Sequence, residues 1–203
     1  MTNAQAIALA AAGGVSGGLN AVAGGGSLVS FPAMLSMGMP SLVANATNAA
    51  AQWPGSLAGA LGFRKLWPQV SAPLKLLGPV ALAGGALGGW LLLQTPTKLF
   101  DWIVPVLVGG ATLLMALPKE IKLSRVPHRV IHLLVSIYGG YFGAGMGILM
   151  LAHFRSMLPD NNLHEWNALK SLLAVLINVV AAGLFVGTLG GNVAHALPAA
   201  DGT

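Results

Sequence analysis

The feature that most constrains this chain is the spacing of its few charges: residues 42–62, 76–93, 102–117, 133–152 and 171–190 each run without an acidic or basic side chain. A helix needs about 20 residues to cross the hydrocarbon of a bilayer, so each run is a candidate crossing. The second and third reach that length by borrowing flanking residues. A further apolar segment, residues 4–39, is long enough for one crossing but is cut by Gly24-Gly25-Gly26 and by Pro32. Non-helical backbone at membrane depth survives only where protein or a watery cavity surrounds it, so this interruption predicts a broken or re-entrant helix.

Composition narrows the class. Only 7% of the 203 residues are charged while 55% are hydrophobic, and the mean hydropathy is +0.76; ordinary globular domains carry about a quarter charged residues. Ten basic and five acidic side chains cannot clothe the surface of a soluble fold of this length. The exterior is therefore expected to meet lipid, which argues against a soluble enzyme. The expected fold is an all-α, polytopic transmembrane bundle forming a single membrane domain over residues 1–203. The chain has no cysteine, which excludes disulfides and thiolate metal sites.

The net charge of +5 does not point to nucleic acid, because the basic residues sit in short loops between apolar runs and form no continuous stripe. They follow the positive-inside rule instead. Arg64, Lys65 and Lys75 flank one connection and Lys119, Lys122, Arg125 and Arg129 crowd another, so both are expected in the cytoplasm. The loop with Lys98 and Asp101 is expected outside, as is the stretch 153–165, where Asp160 and Glu165 offset Arg155. The first residues lack the basic region of a signal peptide and read as the start of the first membrane segment.

Two stretches resemble each other: SGGLNAVAGGGSLVSFP (16–32) and YGGYFGAGMGILMLAH (138–153). Each enters a glycine cluster from one apolar helix and leaves on another, so the fold is expected to hold two glycine-broken segments, the second break milder because Gly145-Met146-Gly147 and Ala152-His153 stand where the first stretch has three glycines and Phe31-Pro32. Downstream, Asn45 aligns with Asn167 and Asn48 with Lys170 after a one-residue adjustment. The pattern divides the chain into a first repeat half, 4–117, and a shortened second half, 128–190. In transporters built from repeats the substrate site lies near the midplane between the halves.

The segments GGLNAVAGGGSLVSFPAMLSMG and ANATN in the first half, with YGGYFGAGMG in the second, resemble the sulfite exporter TauE/SafE family over roughly residues 13–190. The resemblance implies a bacterial inner-membrane permease that exports a small anion such as sulfite, an organosulfonate or a related carboxylate, with no cofactor. Family members usually continue through further membrane segments, so this chain is either a shortened member or is completed by a second copy or another chain; a homodimer would fit the latter.

The candidate substrate contacts follow from what an anion needs: backbone amides, helix starts and polar groups that replace water without trapping the ion. Gly24, Gly25 and Gly26, and Gly143, Gly145 and Gly147, free backbone N–H groups for close approach; close helix packing would use the same glycines. Asn45, Asn48 and Gln52 lie at i, i+3 and i+7 on one helical face, with Thr47 among them, and either line a cavity or bond neighbouring helices. Lys170, three residues after Asn167, either holds an anion or snorkels to the interface.

His128 and His132 stand at i, i+4, a spacing that suits a shared metal, but no third ligand is evident and no metal site is expected. Gly84-xxx-Gly88 and Gly85-xxx-Gly89 form a contact ridge that would join protomers as readily as helices of one protomer. Two functions remain: a small-anion permease, and a non-transporting membrane subunit that docks through these ridges. An intramembrane enzyme would need an acid, a nucleophile–base pair or several metal ligands, and no such set is present.

Overall fold

The computed structural model describes residues 3–22, 24–116 and 126–189. They form an all-α bundle of α1 (Asn3–Val22), α2 (Ser27–Ser36), α3 (Ser41–Gly62), α4 (Trp67–Gln94), α5 (Thr97–Ala116), α6 (His128–Tyr141), α7 (Met146–Met157) and α8 (Leu163–Leu189), with a 3₁₀ turn at Arg64–Leu66. Lys119, Lys122, Arg125 and the last residues of the predicted segments 102–117 and 171–190 lie outside the described residues.

Helix length sorts the elements into two kinds. Helices α1, α3, α4, α5 and α8 have 20, 22, 28, 20 and 27 residues, enough to cross a hydrocarbon layer. Helices α2, α6 and α7 have 10, 14 and 12 and are too short. Among the described residues, Arg64–Gln94 and Leu163–Thr188 combine length with a mean hydropathy of 1.8 and 2.2. Helix α3 has the length but carries the polar stripe from Asn45 to Gln52.

The short helices fold back on the helices before them. Ser16 in α1 and Ser30 in α2 bring their Oγ atoms within 3.2 Å, so α2 turns back at Gly24–Gly26. In the second half the ring of His153 in α7 lies 5.8 Å from that of His132 and 5.4 Å from that of His128, both in α6. Helix α7 therefore doubles back as well. Residues 133–152, expected as one crossing with a milder glycine break, are thus two half-helices, and the second break is as complete as the first. Its cause is local: Gly143 and Gly145 adopt φ of +78° and +76°, a region that costs a side-chain-bearing residue about 1–2 kcal/mol.

This reversal also moves the stretch 153–165. The turn after α7 reaches the start of α8, where Phe63 and His164 pack at 6.4 Å and Trp166 Nε1 donates to Leu158 O at 3.0 Å. It lies at the same end of the bundle as Arg64 and Lys65, not at the opposite end expected from a continuous crossing. Arg64, Lys65, Arg129 and Arg155 share that end. Helix α8 begins at Leu163 rather than 171, and α4 at Trp67 rather than 76, because polar residues in their first turns stay helical.

Helix α4 is the central post. A Cβ on Gly84 would lie 2.5 Å from Ser136 Cβ of α6, and one on Gly85 would lie 3.0 Å from Ile177 Cα of α8. The α4 ridge is therefore filled inside the chain, Gly84 and Gly88 against α6, Gly85 and Gly89 against α8. Leu77, Leu173, Ile177, Met150 and Phe154 close one core between α4, α7 and α8. Phe31, Phe100 and Phe142 form a second, with Phe31 and Phe142 edge to face at 5.2 Å. The outside is apolar: Trp102 is 82% exposed and Val106 72%, as expected of a surface that meets lipid.

Candidate functional site

The two glycine tips meet. A Cβ on Gly24 would stand 2.5 Å from Gly147 Cα and 2.7 Å from its carbonyl carbon, so the chains touch backbone to backbone and neither position tolerates a side chain. Each helix entering a tip ends alike: the N–H of Gly24 donates to Leu19 O and that of Gly143 to Tyr138 O, both at 3.2 Å, with φ of +75° and +78°. Helices α2 and α7 start from these tips. Tyr138 Oη donates to Ala144 O at 2.5 Å and holds the second tip in shape.

Beside the meeting point lies a cavity of about 30 Å³, room for about one or two water molecules. Facing stripes of α3 and α8 wall it. On α3 these are Asn48, Gln52, Ser56 and Gly59, on α8 Lys170, Ser171 and Asn178, with Asn20, Gly24, Ser27, Gly143 and Gly147 from the hairpins. Lys170 is 3% exposed. Its Nζ donates to Asn20 O at 3.0 Å and to Asn167 Oδ1 at 2.6 Å, and Asn167 Nδ2 donates to Leu163 O at 3.1 Å. The ammonium is thus held inward, seven residues into α8, and does not snorkel to an interface.

A second polar chain ties α3 to the first hairpin. Gln52 Nε2 donates to Ser16 Oγ at 3.3 Å, Ser16 Oγ lies 3.2 Å from Ser30 Oγ, and Ser30 Oγ donates to Asn48 Oδ1 at 2.6 Å. With its oxygen engaged, Asn48 offers the cavity its amide N–H groups. The arrangement can hold a small anion by one ammonium, amide and hydroxyl donors, and backbone N–H groups at two helix starts.

Of the residues picked from sequence, Gly24, Asn48, Gln52, Gly143, Gly147 and Lys170 line this cavity. Asn167 positions Lys170. Gly25, Gly26 and Gly145 are buried in the tips without lining it; a Cβ on Gly26 would strike Ser16 O. Asn45 is a strut, donating to Tyr141 O at 2.9 Å. Thr47 is exposed on the outer face of α3 and does not line the cavity. Asn20, Ser27, Ser56 and Ser171 also line it; an isolated serine or asparagine in a small-residue helix carries no spacing signal, although Ser56 stands at i+8 from Asn48, as Asn178 does from Lys170.

The histidine pair gains a neighbour. His153 sits between His128 and His132, and the ring nitrogens of His132 and His153 are buried with no hydrogen-bond partner. No group of three ligating side chains placed to hold a metal occurs among the described residues.

A helical bundle jacketed in apolar side chains, with a polar cavity where two broken helices meet, defines a membrane transporter. Residues 9–200 match the sulfite exporter TauE/SafE family, and the chain belongs to that family. It is similar to a probable membrane transporter protein of Haemophilus influenzae, 29% identical over 183 residues that cover 86% of this chain and 71% of that protein. Probable membrane transporter protein ORF9 of a Sinorhizobium species is 31% identical over 183 residues, 85% of this chain and 69% of that one. Probable membrane transporter protein YfcA of Escherichia coli is 29% identical over 187 residues, 88% and 68% respectively. No solved structure matches the chain significantly.

Proposed function

We propose that this transporter moves a small anion, such as sulfite, an organosulfonate or a related carboxylate, through the cavity between the two hairpin tips. The observation that carries this is the buried Lys170 ammonium, held by Asn167 and Asn20 at the point where the starts of α2 and α7 converge. Lys170, the Asn48 amide, Gln52 and the N–H groups near Gly24 and Gly147 are the contacts; Asn45 and Asn167 position them. The hairpin tips touch backbone to backbone at Gly24 and Gly147, so passage between them requires the tips to part, each half of the repeat moving against the other.

The end of the bundle bearing Arg64, Lys65, Arg129 and Arg155 faces the cytoplasm of a bacterial inner membrane, with α1, α3, α4, α5 and α8 as crossings and α2, α6 and α7 as half-crossings. Export is the direction the family's description names. A non-transporting subunit docked through the α4 glycine ridge is the weaker alternative, since that ridge is occupied by α6 and α8. The test is radiolabelled sulfite and sulfoacetate flux in proteoliposomes for the wild type, Asn48→Ala and Lys170→Ala. Saturable flux lost in Lys170→Ala is expected; equal flux in well-folded wild type and Lys170→Ala would remove Lys170 from the site.

A further inference from the structure

We infer that Ser56 is a substrate-binding residue, its hydroxyl donating to an oxygen of the anion that passes between the hairpin tips; this rests on the anion-permease function proposed above. Ser56 lies on α3, is 3% exposed and lines the cavity. Of the buried side-chain atoms without a hydrogen-bond partner among the described residues, Ser56 Oγ is the one in the cavity wall. The others are Asn45 Oδ1, on a strut whose amide already donates to Tyr141 O, and ring nitrogens of the α6 and α7 histidines.

A serine kept only for packing would not be left in that state. A hydroxyl on a helix readily turns back to a carbonyl of the preceding turn, and this chain uses that bond repeatedly. Thr112, Ser136 and Thr188 each donate to the carbonyl four residues back, at 2.8, 2.7 and 2.6 Å. Ser136 is fully buried and still takes it. Ser56 does not, and a buried hydroxyl without a partner is unfavourable until an acceptor reaches it. The acceptor that fits its position is one that enters the cavity.

The placement suits an oxyanion. A Cβ on Gly59 would stand 3.3 Å from Ser171 Oγ, which sets α3 and α8 side by side at that level. Ser56, three residues before Gly59, and Lys170, one before Ser171, therefore open on the same half of the cavity, the half toward Arg64 and Lys65. There the hydroxyl can direct its O–H at one oxygen of a sulfite, sulfonate or carboxylate group. The second half of the repeat carries a counterpart. Ser56 stands eight residues after Asn48 and Asn178 eight after Lys170, and Asn178 also lines the cavity and is 5% exposed. A polar side chain at this position in both halves serves the site they share, not the packing of either.

The experiment measures sulfite flux in proteoliposomes and thermal melts in detergent for the wild type, Ser56→Ala and Ser136→Ala. Ser56→Ala is expected to raise the KM for sulfite about tenfold or more, the worth of a hydrogen bond to a charged group, and to melt at or above wild type because no protein partner is lost. Ser136→Ala, a buried hydroxyl outside the cavity, is expected to leave KM unchanged. Saturable flux with the same KM in wild type and Ser56→Ala, or an equal rise in Ser136→Ala, would overturn the assignment of Ser56 and leave the permease standing. So would Ser56→Ala melting well below wild type, which would show that the hydroxyl holds the fold. Absence of saturable wild-type flux for sulfite and sulfoacetate alike would overturn both.

Discussion

Alanine at Gly147 separates contact from backbone strain at the tips. Gly147 has no positive φ, yet its Cβ would run into Gly24 Cα. Both sides of the overlap are backbone, so the tips must move apart by about 1 Å or more to reach ordinary contact, an overpacking cost of about 1–3 kcal/mol. Gly143→Ala isolates the other term: its φ is +78° and the nearest atom to a Cβ is Gly139 O at 3.1 Å, so the left-handed backbone dominates at about 1–2 kcal/mol. Gly24→Ala carries both, about 2–5 kcal/mol together. Gly183→Ala is the control: nothing lies within 4 Å of its Cβ, and alanine in a helix gains up to about 1 kcal/mol over glycine. Thermal melts of the purified proteins in detergent, read by tryptophan fluorescence and by the monodisperse fraction after heating, should rank Gly183→Ala at or above wild type and Gly24→Ala lowest. Gly147→Ala melting with Gly183→Ala would mean that the tips do not touch, and the hairpin arrangement would be wrong.

Asn48→Ala should lower anion flux about tenfold or more, the worth of one hydrogen bond to a charged group, while exposed Thr47→Ala leaves it unchanged; equal effects in flux assays would displace the site from this face of α3. The chain lacks cysteine, so single-cysteine variants report cleanly on sidedness: Arg64→Cys and Asp160→Cys should react with an impermeant maleimide from one side and Lys98→Cys from the other, and labelling of Arg64→Cys and Asp160→Cys from opposite sides would contradict the fold-back of α7. His132→Leu removes two buried nitrogens that have no partner and should leave the melting temperature unchanged or raised, since an unsatisfied buried polar group costs about 1–3 kcal/mol; a marked loss of stability would show that the histidine cluster holds a ligand.

The membrane class and the inner wall of the site were legible in the chain for physical reasons. Charge is too scarce to solvate an exterior, and Asn48, Gln52 and Lys170 fall where lipid would penalise them. The glycine break in the second half was legible, but its full reversal was not. Residues 133–152 sum to the length of one crossing, and both arms are apolar, so hydropathy cannot separate a straight helix from two halves. The difference lies in Gly143 and Gly145 taking positive φ, which glycine permits without requiring. The full reversal of α7 is what brings 153–165, with Arg155, Asp160 and Glu165, to the basic end instead of the opposite one. The starts of α4 and α8 were cut short for a related cause: Gln69, Lys75, Glu165 and Lys170 interrupt the apolar runs without interrupting the helices, because in α8 the Lys170 side chain points into a polar cavity rather than into lipid.

The measurement closest to the central claim is substrate protection of one introduced thiol. Ser27→Cys places it in the cavity wall at the start of α2, in a chain with no other cysteine. Saturating methanesulfonate, an organosulfonate that does not consume the reagent, should slow its modification by a small methanethiosulfonate reagent, and the modified protein should lose flux. Modification at an unchanged rate, with flux intact afterwards, would show that the anion does not pass between the hairpin tips.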